Sequence, residues 1–306
     1  MSKQATTSFR ANENGVIDYQ ESAPRISEFR RFQKAFFSRG VVVFGLLVVL
    51  GMILMAIFAP LIAPYDPNEQ NLKIALAKPS PEHWLGTDSV GRDTMSRIIY
   101  GSRTSLMVGI IALFLAAFIG MGLGLVAGFF GGITYGIIMR IMDALMAFPM
   151  ILLALMIATL LGMGLANVVI ALGISMIAPY ARLMCGQTLV VKQNDFVIAA
   201  RSIGASNLRI MLRHVAVNCF PPLIVMMTMQ LGTVVLAEAG LSFLGIGIRP
   251  DGVAWGAMVS DGYRYLLTNP VLSFAPGGMI MLLVFAFNMV GDGLRDALDP
   301  RLRGVI

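Results

Sequence analysis

Charge is missing from this chain over stretches that only a membrane tolerates. Val41 to Ala63, Thr104 to Met139 and Ala144 to Ala181 each run without a single Asp, Glu, Lys or Arg. A spanning helix needs about 20 mostly apolar residues. Backbone shielded from water must bond within its own segment, so such runs fold as helices. Val41–Ala63 is one span. A polar stretch of about forty residues precedes it and no small-residue cleavage site follows it, so an uncleaved first span is expected. The run from Thr104 is too long for one helix. Its break is GFFGGITYG (Gly128–Gly136), which gives a second span near 105–128 and a third starting near 136. LGMGLAN (Leu161–Asn167) turns the third span into a fourth, and Phe220–Phe243 and Leu272–Asp292 supply the fifth and sixth. The expected fold is all-α, with six transmembrane helices.

Composition removes the soluble alternatives. Hydrophobic residues make up 57% and charged residues 13%, about half the charge of a soluble chain at roughly 25%. Mean hydropathy is +0.78. Two cysteines (Cys185, Cys219) and two histidines (His83, His214) exclude a disulfide framework and a four-cysteine metal site, and no metal centre is expected. Both cysteines read as reduced packing residues.

The net charge of +6 is topology rather than affinity for nucleic acid. With the N-terminus inside, 16 of the 23 Lys and Arg fall on the inner side, among them Arg140, Arg182, Lys192, Arg201, Arg209, Arg213 and Arg295; the other 7 fall outside. The positive-inside rule therefore sets both termini in the cytoplasm. The organisation expected is a cytoplasmic tail (1–40), the first helix (41–63), an external loop (64–104), a five-helix core (105–295) and a cytoplasmic tail (296–306).

Three aqueous pieces stand out. In the tail, ISEFRRFQKAFF (Ile26–Phe37) is amphipathic and basic, which suits an interfacial helix on anionic lipid. In the external loop, LGTDSVGRDTMSR (Leu85–Arg97) reads as a Gly-rich turn with Asp and Ser or Thr caps leading into a helix, in preference to an acid–base site. Between spans four and five, residues 186–218 are too polar to span. They read as two helical halves, Leu189–Ile203 and Ser206–Val217, with Gly204 between them where positive φ permits a turn, and with Ser206 as N-cap.

That internal loop resembles the cytoplasmic signature loop of ABC importer permeases. Ala199, Ala200, Gly204, Arg213, His214 and Asn218 stand at the family's positions. Ile198 replaces the family's glutamate, and Ala216 and Val217 stand where leucine and proline are usual. HWLGTDSVGRDTMSRIIYGSRTSL (His83–Leu106), EAGLSFLGIGIRPDGVAWGAMVSDG (Glu238–Gly262) and FNMVGDGLRDALDPRLR (Phe287–Arg303) narrow the resemblance to the C-type second permease of dipeptide, oligopeptide and nickel importers. It covers about residues 25–303. It implies a type I ABC importer permease fold in the cell inner membrane. It also implies a homologous permease partner, two ATP-binding subunits that hold ATP and Mg, and an external solute-binding protein. The cargo implied is di- or oligopeptides, with nickel, glutathione or another small solute as alternatives. The ATPase-coupling residues implied are Ala199, Ala200, Arg201, Gly204, Ala205, Arg209, Arg213, His214 and Asn218.

The residues themselves fit a chain without its own ATPase. A phosphate-cradling loop needs a Gly-Lys-Ser/Thr step, and none of Lys3, Lys34, Lys73, Lys78 and Lys192 follows a glycine. Energy must then enter through a contact, and a short helix around Val191–Ala200 is expected to seat in an ATPase cleft. A proton-coupled carrier using Asp143 and Glu238 is the competing class; it lacks the internal repeats common in such carriers. An intramembrane enzyme fits worse, because both histidines lie in loops. Asp143 is expected to pair with Arg140 one turn away, and Glu238 to face water at the outer end of span five. Asp292, Asp296 and Asp299 should be solvated or ion-paired at the inner end of span six. Ile248–Leu267 is expected to form a short helix or re-entrant segment, with Trp255 and Tyr263 at the membrane–water boundary. Ala171, within span four, is expected to tolerate valine.

Overall fold

The computed structural model describes residues 8–11, 17–20, 32–33, 36–247 and 252–298. Most of the amphipathic Ile26–Phe37 stretch lies outside the described residues, as does Asp299. An antiparallel hairpin, β1 (Ser8–Ala11) with β2 (Ile17–Gln20), lies in the N-terminal tail, with Phe9 opposite Tyr19.

Among the described residues, five helices are long and apolar enough to cross a membrane: α1 (Gly40–Ile57), α2 (Thr94–Phe130), α5 (Leu165–Val191), α7 (Asn207–Phe243) and α9 (Val271–Leu298). A sixth crossing is made only if α3 (Gly132–Met146) and α4 (Met150–Leu161) count as one span, because they meet at 91°. The bend sits at Ala147–Pro149. Proline disfavours helical geometry in the residue before it and brings no N–H to the ladder. Among the shorter helices are α6 (Asp195–Ser202) and α8 (Trp255–Tyr263).

Helix ends differ from the expected ones for local reasons. The second span begins at Thr94 rather than near 105, because Asp93 caps it: its carboxylate accepts from the Ser96 N–H at 2.7 Å. At 37 residues α2 is about 55 Å long, so its first turns stand clear of the hydrocarbon. The fourth span runs on to Val191 and is stepped at Met176, where Pro179 offers no N–H to the preceding turn. The second half of the 186–218 loop is not a separate helix. It is the start of α7, continuous with the fifth span through a π-turn at Ile210–Ala216.

A small buried cluster around Met142 and Ala181 and two larger cores hold the bundle. One joins α2, α5 and α7 through Ala112, Ala116, Leu172, Tyr180, Ile210 and Leu223. The other joins α1, the outer part of α2, α8 and α9 through Met52, Ile98, Trp255, Leu283 and Phe287. Ala171 is fully buried. Burial makes valine there prone to overpacking, so an exposed position is the better control.

Candidate functional site

The residues singled out in the 186–218 loop come together on one small device. α5 ends at Val191, and Lys192 reaches back to donate its Nζ to the Gly128 carbonyl at 2.7 Å. A cation on the last carbonyls of α2 is favourable there. After the turn at 192–194, α6 runs only from Asp195 to Ser202. Val197 and Ala200 are its buried face, while Phe196, Ile198, Ala199 and Arg201 are exposed.

A Schellman motif closes α6. The Ala205 N–H donates to the Ala200 carbonyl at 3.1 Å and the Gly204 N–H to the Arg201 carbonyl at 3.0 Å. This pair of bonds requires a left-handed residue between them, and Gly204 supplies it at φ +82°. A Cβ on Gly204 would meet nothing within 4 Å, so the requirement is one of backbone conformation and not of space. The spacing of Ala200, Gly204 and Ala205 is thus the hydrogen-bond pattern of a helix stop. Ser206 then caps α7, accepting from the Arg209 N–H at 3.4 Å.

Past the cap, Arg209 and Arg213 are exposed and His214 is half-buried. Asn218 donates its side-chain amide to the His214 carbonyl at 2.6 Å. That bond engages a carbonyl where the ladder is displaced by the π-turn, just before Pro221 and Pro222, which donate no N–H. Exposed Ile203, Leu208 and Leu212 extend the surface of α6. Ile203 is 86% exposed. The outcome is an apolar patch edged by Arg201, Arg209 and Arg213, standing clear of the core. Exposed apolar patches rimmed by polar residues mark contact surfaces.

The charged residues of the spans are placed differently from the expectation. Asp143 pairs with Arg182 of α5, not with Arg140. Glu238 does not face water: it is fully buried, receiving the Ser242 hydroxyl at 2.7 Å and the Ser105 hydroxyl at 3.5 Å. Trp255 is not a boundary residue either. It is 0% exposed and its indole donates to the Ile98 carbonyl at 2.9 Å, lying against Gly101. Tyr263 is exposed, and Asp251 lies outside the described residues. Asp296 pairs with Arg39 at 2.9 Å. Between α1 and α2 the capped turn is present, with Asp88 bonding Arg92 and the N–H groups of Val90 and Arg92. Cys185 and Cys219 are free and buried, and no group of three metal-ligating side chains occurs among the described residues.

A bundle of long apolar helices with an apolar core, and a short glycine-stopped helix between two of them, suits a membrane permease. Residues 120–304 match the family described as "Binding-protein-dependent transport system inner membrane component", and residues 27–79 match "N-terminal TM domain of oligopeptide transport permease C". The chain belongs to this family: it is a multi-pass inner-membrane permease subunit of an ABC importer of the peptide/nickel group. It is 44% identical over 280 residues to the glutathione transport system permease protein GsiD of Escherichia coli O157:H7, covering 90% of each chain. It is 45% identical, over the same length and coverage, to GsiD of Shigella flexneri serotype 5b. The fold is that of a solved structure of the MetNI methionine ABC transporter in inward-facing conformation, with TM-score 0.54, 20% identity, 67% of this chain covered and 98% of the other.

Proposed function

We propose that this permease pairs with a homologous permease to form the path for short peptides. An external solute-binding protein delivers them, and two partner ATPases that hold ATP and Mg drive the cycle. In this reading α6 seats in a cleft on one ATPase. Closure of the nucleotide dimer then moves α5 and α7, which meet at α6, as levers. The single observation that supports it most is the construction of α6: eight residues, stopped by Gly204, with Phe196, Ile198 and Ile203 left exposed beside three arginines. The peptide class rests on the family description for residues 27–79, and glutathione, itself a short peptide, is favoured within it by the two GsiD relatives.

The test is Gly204→Val in the complete complex reconstituted in vesicles. A β-branched residue at positive φ costs on the order of 1–3 kcal/mol. That is too little to unfold the bundle and enough to shift a docking helix. The expected outcome is normal permease level with ATP hydrolysis no longer stimulated by loaded binding protein. Ile170→Val, at an exposed position of α5, is the control. Wild-type stimulation in Gly204→Val would show that α6 is not the coupling element.

A further inference from the structure

The end of the molecule that carries the external loop contains a cleft of about 600 Å³ that the coupling reading does not use. Its volume falls in the range of roughly 300–1,000 Å³ typical of small-molecule sites. One wall is the external loop and the first turns of α2, with Gln70, Arg92 and Arg97; the other is the end of α8, with Asp261 and Arg264.

Three cations, Arg92, Arg97 and Arg264, line the cleft together with one carboxylate, Asp261. Arg97 is only 3% exposed; its Nη1 donates to the Pro67 carbonyl at 3.0 Å, and its Nε stands 3.6 Å from Asp88. Asp88 is already held by the Arg92 Nε at 2.6 Å and by two backbone N–H groups. Asp88 is thus shared between two guanidinium groups, and Asp261 adds a longer-range attraction on Arg97. At the end of α8, Arg264 and Asp261, three residues apart, are exposed and form no ion pair among the described residues. Adjoining them is a pocket for one water-sized group, lined by Thr94, Arg97 and Asp261, where the buried Thr94 hydroxyl has no hydrogen-bond partner.

We propose that this cleft is a binding site for a short peptide, with Arg264 and Arg97 receiving the terminal carboxylate and Asp261 the amino group. Guanidinium forks match a carboxylate in geometry as well as charge. Arg264 and Asp261, one turn apart, present the opposite charges that a zwitterion requires. The site lies beside the buried Glu238–Ser242 pair, since Ser242 also lines it. It gives the permease its own contact with cargo after the binding protein lets go. The proposal rests on the short-peptide reading of the function.

The experiment uses the permease–ATPase complex in nanodiscs without binding protein, with trialanine and trialanine amide as calorimetric probes. Trialanine is expected to bind, and the amide to bind about tenfold more weakly, as loss of one charge-assisted contact implies. Arg264→Gln should weaken trialanine about tenfold and leave the amide unchanged, with Arg264→Lys recovering part of the loss. Lys73→Gln, an exposed cation of the same loop, should change neither. Equal binding of acid and amide, or an Arg264→Gln variant that binds trialanine like wild type, overturns the proposal. So does an Arg264→Gln defect confined to docking of the binding protein, because the cations would then serve a protein carboxylate. If the full complex transports trialanine while the cleft shows no dependence on Arg264, only the cleft proposal falls. If the full complex moves no peptide, the functional reading falls with it.

Discussion

On α2, every fourth residue from Ala112 to Gly128 is Ala or Gly, and this stripe lets α5 approach to backbone contact. A Cβ on Gly124 would lie 2.2 Å from the Ala181 carbonyl oxygen, and one on Gly120 2.5 Å from that of Ile177. Lipid tails are as apolar as leucine, so helices gain from association mainly by packing this closely. Gly122 belongs to the same helix but faces open space. Gly124→Ala should therefore lower the thermal stability of the detergent-solubilised complex by about 1–3 kcal/mol, whereas Gly122→Ala should be nearly silent. Equal melting of the two variants would mean that the stripe is not the contact. At this scale the sequence is partly explicit. Gly204 and Ser206 announce a helix stop and a cap by residue type alone. The glycine stripe is equally visible, yet inside an uncharged run it adds nothing to the prediction of a span.

The surroundings of the polar residues within the spans are set between elements. Whether a carboxylate in a span is wet depends on which helix lies opposite, and no local pattern carries that. Glu238 of α7 meets Ser105 of α2, 133 positions away in the chain; Asp143 of α3 meets Arg182 of α5 in the same way. Trp255 has the side chain of a boundary residue, and only the gap left by Gly101 makes it a core one. The break between α3 and α4, in contrast, sits at a visible proline. The Glu238 node ties α7 to α2 through two hydroxyls, which yields a measurable contrast. Glu238→Gln keeps acceptors and donors for both serines. Glu238→Leu strands them, at about 1–3 kcal/mol for a buried polar group left unmet. Melting of the purified complex should separate the two, with leucine the less stable. If leucine melts with glutamine or above it, the tie contributes nothing.

For the molecule as a whole, the hydrophobic runs lead to a helix count that the structure meets with five spans, or six with the bent α3–α4 pair, because the bilayer imposes an apolar length on any spanning segment; the split of basic residues supplies an expected direction for each span. The helix lengths were not available in this way. α2 and α7, at 37 residues each, outrun the hydrocarbon at ends set by capping, which hydropathy does not register. The direction is the remaining test. Glu69, in the external loop, and Asn207, at the start of α7, are both exposed. The two native cysteines are buried and give little background. A membrane-impermeant maleimide added to intact cells should label Glu69→Cys and spare Asn207→Cys, and inverted vesicles should reverse the result. The physical basis is that Lys and Arg resist translocation, so the side holding 16 of 23 stays inside. That orientation puts α6 within reach of a cytoplasmic ATPase and the arginine-lined cleft within reach of an external binding protein. Labelling of Asn207→Cys from outside would exchange the two ends and remove the basis for both proposals at once.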